Sequence, residues 1–207
     1  MERILCFGDS NTYGYIPDGS GRYPEDIRWT GILQKKLAGR AVVVEEGLCG
    51  RTTVFQDELR EGRRGIEMLP VLLESHAPLN LVVVMLGTND CKTVYGASAE
   101  VIGKGMEQIV KQIKATLPGA DILVISPIRL GEDVWKEEYD PEFSKESVLV
   151  SKKLKSVYQR VAERNGCLFL AASDITGPSV VDEEHLDEDG HAALARAVSE
   201  IIQRHLQ

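Results

Sequence analysis

The sequence predicts an α/β fold: a five-stranded parallel sheet with helices on both faces, three layers in all. Three observations carry that reading. Short apolar runs alternate with segments of helical period along the chain. The runs are continuously apolar rather than apolar at every second residue, as strands covered on both faces are. The β-α order recurs five times, which is what a parallel sheet with crossover helices requires.

The first strand is expected over residues 4–7, Ile-Leu-Cys-Phe, directly after Met1-Glu2-Arg3. A helix follows Pro24, because Trp29, Ile32, Leu33 and Leu37 share one face. Val42, Val43 and Val44 make the second strand. Ile66, Leu69, Leu72 and Leu73 mark a second helix, which Pro70 should kink or shorten. Residues 81–86 form the third strand, and residues 101–117 a helix with apolar positions Ile102, Met106, Ile109, Val110, Ile113 and Leu117, ended by Pro118-Gly119. Residues 122–125 are the fourth strand. Residues 148–162 repeat the helical pattern until Asn165-Gly166, residues 168–170 are the fifth strand, and a last helix spans about 188–206. One connection, 129–144, is long enough to be functional or mobile. Its Trp135, Tyr139 and Phe143 suit a cleft wall, a self-association surface or simple packing of the loop.

Composition narrows the function. A chain of 207 residues, 43% hydrophobic and 27% charged, is an ordinary globular chain that fits a single domain, 1–207. A net charge of -8 argues against nucleic acid as a partner. The one basic cluster, Arg60, Arg63 and Arg64, is interleaved with Glu58 and Glu61 and reads as a solvated face rather than an anion site. Cys6, Cys49, Cys91 and Cys167 form no C-x-x-C pair, so no zinc or thioredoxin-like motif is visible, and scattered thiols suggest a reducing compartment. No stretch approaches the roughly 20 apolar residues of a membrane span, and the N-terminus lacks a signal-peptide pattern. A cytoplasmic protein without membrane partners is the expectation.

Ligands of such sheets bind at the carboxyl ends of the strands. After the first strand comes Gly8-Asp9-Ser10-Asn11. The glycine permits a tight exit, and Ser10 emerges where an oxygen nucleophile is useful, although a serine there also commonly caps a helix. The spacing matches neither G-x-S-x-G nor a phosphate-binding loop. A serine nucleophile needs a base. Of four histidines, His76 precedes the third strand, His191 lies inside the last helix and His205 is almost terminal, which leaves His185 in the loop after the fifth strand. Asp182, three residues earlier, can fold back to hold the imidazole tautomer. The acidic run 182–189 also invites a metal, but the calcium-loop pattern fails and no metal or other cofactor is expected. Two more strand exits offer donors for a developing oxyanion: Gly50 through its backbone N–H, in Gly47-Leu48-Cys49-Gly50-Arg51, and Asn89 through its amide, in Gly87-Thr88-Asn89-Asp90.

Together these four segments resemble the blocks of the SGNH hydrolase superfamily, the GDSL esterases and lipases, in order and over nearly the whole chain. The resemblance implies a flavodoxin-like three-layer fold, Ser10 as nucleophile, His185 as base, Asp182 as its orienting carboxylate, and an oxyanion hole made by the Ser10 N–H, the Gly50 N–H and the Asn89 side chain. Asn11 departs from the family's leucine, and a changed contact near the acyl pocket is expected there. Arg28-Trp29-Thr30-Gly31, Arg51-Thr52-Thr53 and Met85-Leu86-Gly87-Thr88-Asn89-Asp90 are similar to one branch, bacterial aryl esterases and acyltransferases, some of them oligomeric. The expected partner is therefore a small-molecule ester with an acetyl-like or aryl group, and self-association into a homo-oligomer is a further expectation. No apolar lid is evident, which disfavours a lipase. An acyltransferase or a carbohydrate deacetylase would use the same residues, and a non-catalytic ligand-binding module on the same sheet is the distant alternative.

Overall fold

The computed structural model describes residues 1–205. Five parallel strands form one sheet: β1 (Glu2–Gly8), β2 (Ala41–Gly47), β3 (Leu81–Met85), β4 (Asp121–Ser126) and β5 (Leu168–Ala171), in the order β2-β1-β3-β4-β5. The chain leaves β1 toward one edge and returns past it to β3. The strand order therefore reverses beside β1, and the crevice at such a switch point is where open α/β sheets bind ligands.

Six helices cover the sheet: α1 (Ser10–Tyr13), α2 (Trp29–Lys36), α3 (Gly65–His76), α4 (Ala99–Thr116), α5 (Lys145–Arg164) and α6 (Glu188–His205). Side chains alternate across each strand, so the sheet supplies two cores. Ile4, Cys6, Val83, Met85, Leu123 and Ile125 face Leu33 and Leu37 of the α2 segment and Leu194 and Val198 of α6. Leu5, Phe7, Val82, Val84, Ile122 and Val124 face α3, α4 and α5. Because both faces are covered, the central strands need apolar residues at every position, which is the pattern the sequence carries. Truncating a fully buried leucine such as Leu33 or Leu73 removes about 2–5 kcal/mol.

Several elements differ from expectation. β2 runs on through Glu45 and Glu46. It is an edge strand, so its outer residues reach water, and Glu45 is neutralised by Arg28 at 2.5 Å while Thr30 also donates to it. Helix α3 passes through Pro70 to His76, with Leu69 and Leu73 both fully buried. Packing of those leucines holds the helix on either side of a residue that cannot donate. Helices α4 and α5 begin earlier than their apolar periods, because Ser98 and Ser144 cap them through the N–H groups of Val101 and Ser147. Position 206, the expected end of the last helix, lies outside the described residues.

Candidate active site

The site is assembled from strand exits. At the end of β1 a Cβ on Gly8 would stand 2.8 Å from the Met85 carbonyl oxygen, so only glycine lets β1 and β3 close together here. The chain then turns at once into α1. Asp9 caps this helix: its Oδ1 accepts the Asn11 N–H at 3.0 Å, and its carbonyl accepts from Thr12 and Tyr13. Ser10 thereby becomes the first residue of a helix, with its own N–H unused by the fold.

Polar ties fix the other exits against this one. Arg51, after β2, donates to the Gly8 carbonyl at 2.9 Å and lies 4.3 Å over the Phe7 ring. Asn89, in a single 3-10 turn after β3, donates one amide hydrogen to the Arg51 carbonyl at 3.1 Å. Asp90 beside it is fully buried and accepts from the Thr53 N–H at 3.0 Å and from the Thr53 hydroxyl. Gly50 adopts φ +80°, a left-handed backbone that favours glycine, and its N–H finds no acceptor among the described residues. The N–H groups of Ser10 and Gly50 and the second hydrogen of the Asn89 amide are thus left free at one cleft, which all three residues line.

The fifth-strand loop brings the histidine. His185 Nε2 is 2.8 Å from Ser10 Oγ, and its Nδ1 is 2.6 Å from Asp182 Oδ2. Asp182 Oδ1 accepts the backbone N–H groups of Glu184 and His185, so the carboxylate is fixed by its own loop. Burial works to lower the His185 pKa, but Glu184 and then Asp182 outweigh it, and the net shift is upward. The ring is held under Tyr15, whose centroid is 4.6 Å away.

The five residues expected to form the triad and the oxyanion hole all line this cleft: Ser10, Gly50, Asn89, Asp182 and His185. The other histidines are elsewhere. His76 bonds to Glu46, His205 to Asp121, and His191 is buried in α6.

Two expectations require correction. Asn11 does not line the cleft. It is buried, and its Oδ1 accepts the Leu186 N–H at 2.8 Å, which ties the Ser10 turn to the His185 loop. Arg60 is not simply a solvated charge. Its guanidinium, paired with Asp57 at 3.0 Å, lies beside Gly50 and lines the cleft. Helical or loop periodicity cannot reveal either, because both depend on where a side chain points after folding.

Of the loop aromatics, Phe143 is buried in the core, Trp135 packs against it under Lys145, and Tyr139 lines the cleft. Sequence reasoning also missed Tyr15, Glu184 and Lys92 at the cleft, and the positioning ties through Arg51 and Asp90. Only Glu184, adjacent to His185, and Asp90, adjacent to Asn89, carried any local signal. The cleft encloses about 450 Å³. A depression of about 560 Å³ lies between the N-terminal part of α4 and the length of α5 and includes neither Ser10 nor His185.

The chain matches solved enzymes throughout. It is 33% identical to the M. smegmatis aryl esterase, with 99% of each chain covered and a TM-score of 0.90. It is 32% identical to a carbohydrate acetylesterase from Sinorhizobium meliloti, with 99% of each chain covered and a TM-score of 0.91. No curated protein matches the sequence. Fold and likeness together define a carboxylic ester hydrolase with a three-layer α/β architecture. Residues 6–193 match the GDSL-like lipase/acylhydrolase family, and the chain belongs to that family.

Proposed function

We propose that this enzyme hydrolyses short-chain, acetyl-like or aryl esters through an acyl-enzyme formed on Ser10. The observation that carries the reading is the continuous chain of contacts from Asp182 through His185 to Ser10, 2.6 and 2.8 Å long. His185 Nε2 takes the Ser10 proton as Oγ attacks the ester carbonyl. Asp182 holds Nδ1–H and stabilises the imidazolium. The negative charge on the carbonyl oxygen is received by the free N–H groups of Ser10 and Gly50 and by the Asn89 amide, donors that need no rearrangement during the reaction. His185 then protonates the departing alcohol, and water, activated by the same nitrogen, releases the acid.

The polar rim, without an apolar lid, supports a small soluble ester rather than a lipid. The 32% identical carbohydrate acetylesterase supports a second reading, removal of acetyl groups from a carbohydrate by the same residues. Transfer of the acyl group to an alcohol would need only that the alcohol replace water. Four free thiols fit a reducing, cytoplasmic setting. No described helix is long and apolar enough to cross a membrane.

Ser10→Ala tests the assignment. Phenyl acetate hydrolysis should fall at least about 10⁴-fold with the circular dichroism spectrum unchanged, and a fluorophosphonate should add its mass to the wild type and not to the variant. Turnover retained in the variant would assign the chemistry elsewhere.

A further inference from the structure

Resting on the Ser10–His185 reading, we propose that the cleft selects esters whose alcohol carries a positive charge, an alkylammonium group. The proton path places the alcohol half of the substrate. The leaving oxygen must receive its proton from His185 Nε2, so the alcohol half of the substrate lies against whatever surrounds that nitrogen. What surrounds it is carboxylate. Glu184 Oε1 is 3.7 Å from His185 Nε2. The Glu184 side chain is more than nine-tenths buried, lines the cleft, and makes no hydrogen bond among the described residues. An anionic group left in this state at low local dielectric lacks a partner, and a bound cation would supply one.

Beyond Glu184 the same wall continues in kind. Asp18, Glu138, Asp140, Glu142 and Asp182 also line the cleft, against two cationic side chains, Arg60 and Lys92. Both cations are already engaged: Arg60 with Asp57, and Lys92 with Glu142. Lys136, the cation that Glu138 acts on, is already paired with Asp133. The carboxylates that line the cleft therefore outnumber the cations, and Glu184 stands nearest the nitrogen that protonates the leaving alcohol. Tyr15 and Tyr139 supply aromatic surface in the same wall, which suits an ammonium group better than a carboxylate or a phosphate. Burial raises the Glu184 carboxyl above its ordinary value, Asp140 and Asp182 add to the rise while His185 and Lys92 oppose it, and a bound cation would favour the ionised form. A polyol would also find acceptors here, but it would not draw on the net charge.

Acetylcholine and 3,3-dimethylbutyl acetate have the same shape and differ in the charge of one atom. At low ionic strength the wild type should show kcat/KM at least about tenfold higher for acetylcholine, falling toward parity as salt rises through about 0.5 M. Glu184→Gln should reduce this ratio severalfold. Asp140→Asn, on the more exposed loop, should do so in the same direction if the first variant folds poorly. Equal or inverted values in the wild type would overturn the proposal, as would a ratio that neither substitution moves. A xylose peracetate turned over better than acetylcholine would replace the cation by a polyol. Phenyl acetate serves as the control for the reading beneath it: if it too is not hydrolysed, the Ser10 assignment fails rather than the charge selection.

Discussion

Two histidines six residues apart in sequence have opposite environments. His185 and His191 are both buried, at 8% and 0% exposure. Around His185, in the loop after β5, stand Glu184 and Asp182, and its pKa is raised against the effect of burial. His191, one turn into α6, is dominated by burial, which outweighs Asp187 and drives it down to about 4. Its Nδ1 accepts the Trp29 N–H at 3.2 Å, its Nε2 has no partner among the described residues, and Tyr23 meets it edge-on. Burial alone makes a neutral packing residue. Burial with two carboxylates holds a proton more firmly, as the proposed base must. The loop buys this with a strained backbone, since Glu183 between the two carboxylates sits at φ +61°.

The strongest way to break the comparison is to remove each ring. His185→Ala should lower kcat for phenyl acetate by about 10⁴-fold or more, with Asp182→Asn close behind, whereas His191→Asn should stay within roughly threefold of wild type. Comparable losses at both positions in steady-state assays would mean that His191 also serves the chemistry.

His191→Asn should instead reveal itself in stability. A histidine depressed from 6.5 to about 4 on folding contributes stability that is complete above pH 6.5 and is lost as pH falls from there through 4, because only the unfolded chain then takes up the proton. The stability advantage of the wild type over the variant should shrink by about 3 kcal/mol between pH 7 and pH 4, measured by urea unfolding at each pH. The comparison must be made as a difference. Asp9, pushed up to about 7, and Asp90, pushed up to about 6, both by burial, favour the folded state increasingly over the same acid range. A gap independent of pH would show that His191 does not titrate as its burial requires.

The smallest effect sharpens the other side. Glu184 raises the His185 pKa, so Glu184→Gln should lower it and carry the acidic limb of the kcat/KM profile to lower pH. The measurement is a profile from pH 4 to 8 on an uncharged ester. A limb that stays in place would remove Glu184 from the electrostatics of the base.

Much of this was legible beforehand because it is written in local pattern. Residues 4–7 and 122–125 are apolar at consecutive positions since both sheet faces are covered, and that reads directly as a buried strand. Ser10, Asn89 and Asp182-x-x-His185 stood out because glycine turns and strand exits limit where a reactive group can be presented. β2 was read short because an edge strand tolerates Glu45 and Glu46, and α3 was read as interrupted because the packing of Leu69 and Leu73 is invisible in a window around Pro70.

The sequence by itself determined the order of strands and helices along the chain, the edge of the sheet at which chemistry-bearing residues emerge, and the candidate serine, histidine and carboxylate. Those follow from hydrophobic period and turn chemistry, which act between near neighbours. Only the tertiary structure decided that Asn11 ties two loops together, that Arg60 reaches Gly50, that Tyr15 covers the imidazole and that Glu184 stands unpaired beside it. Those are meetings of groups up to 175 positions apart. Their energies depend on distance and on the exclusion of water, and neither exists until the chain has folded.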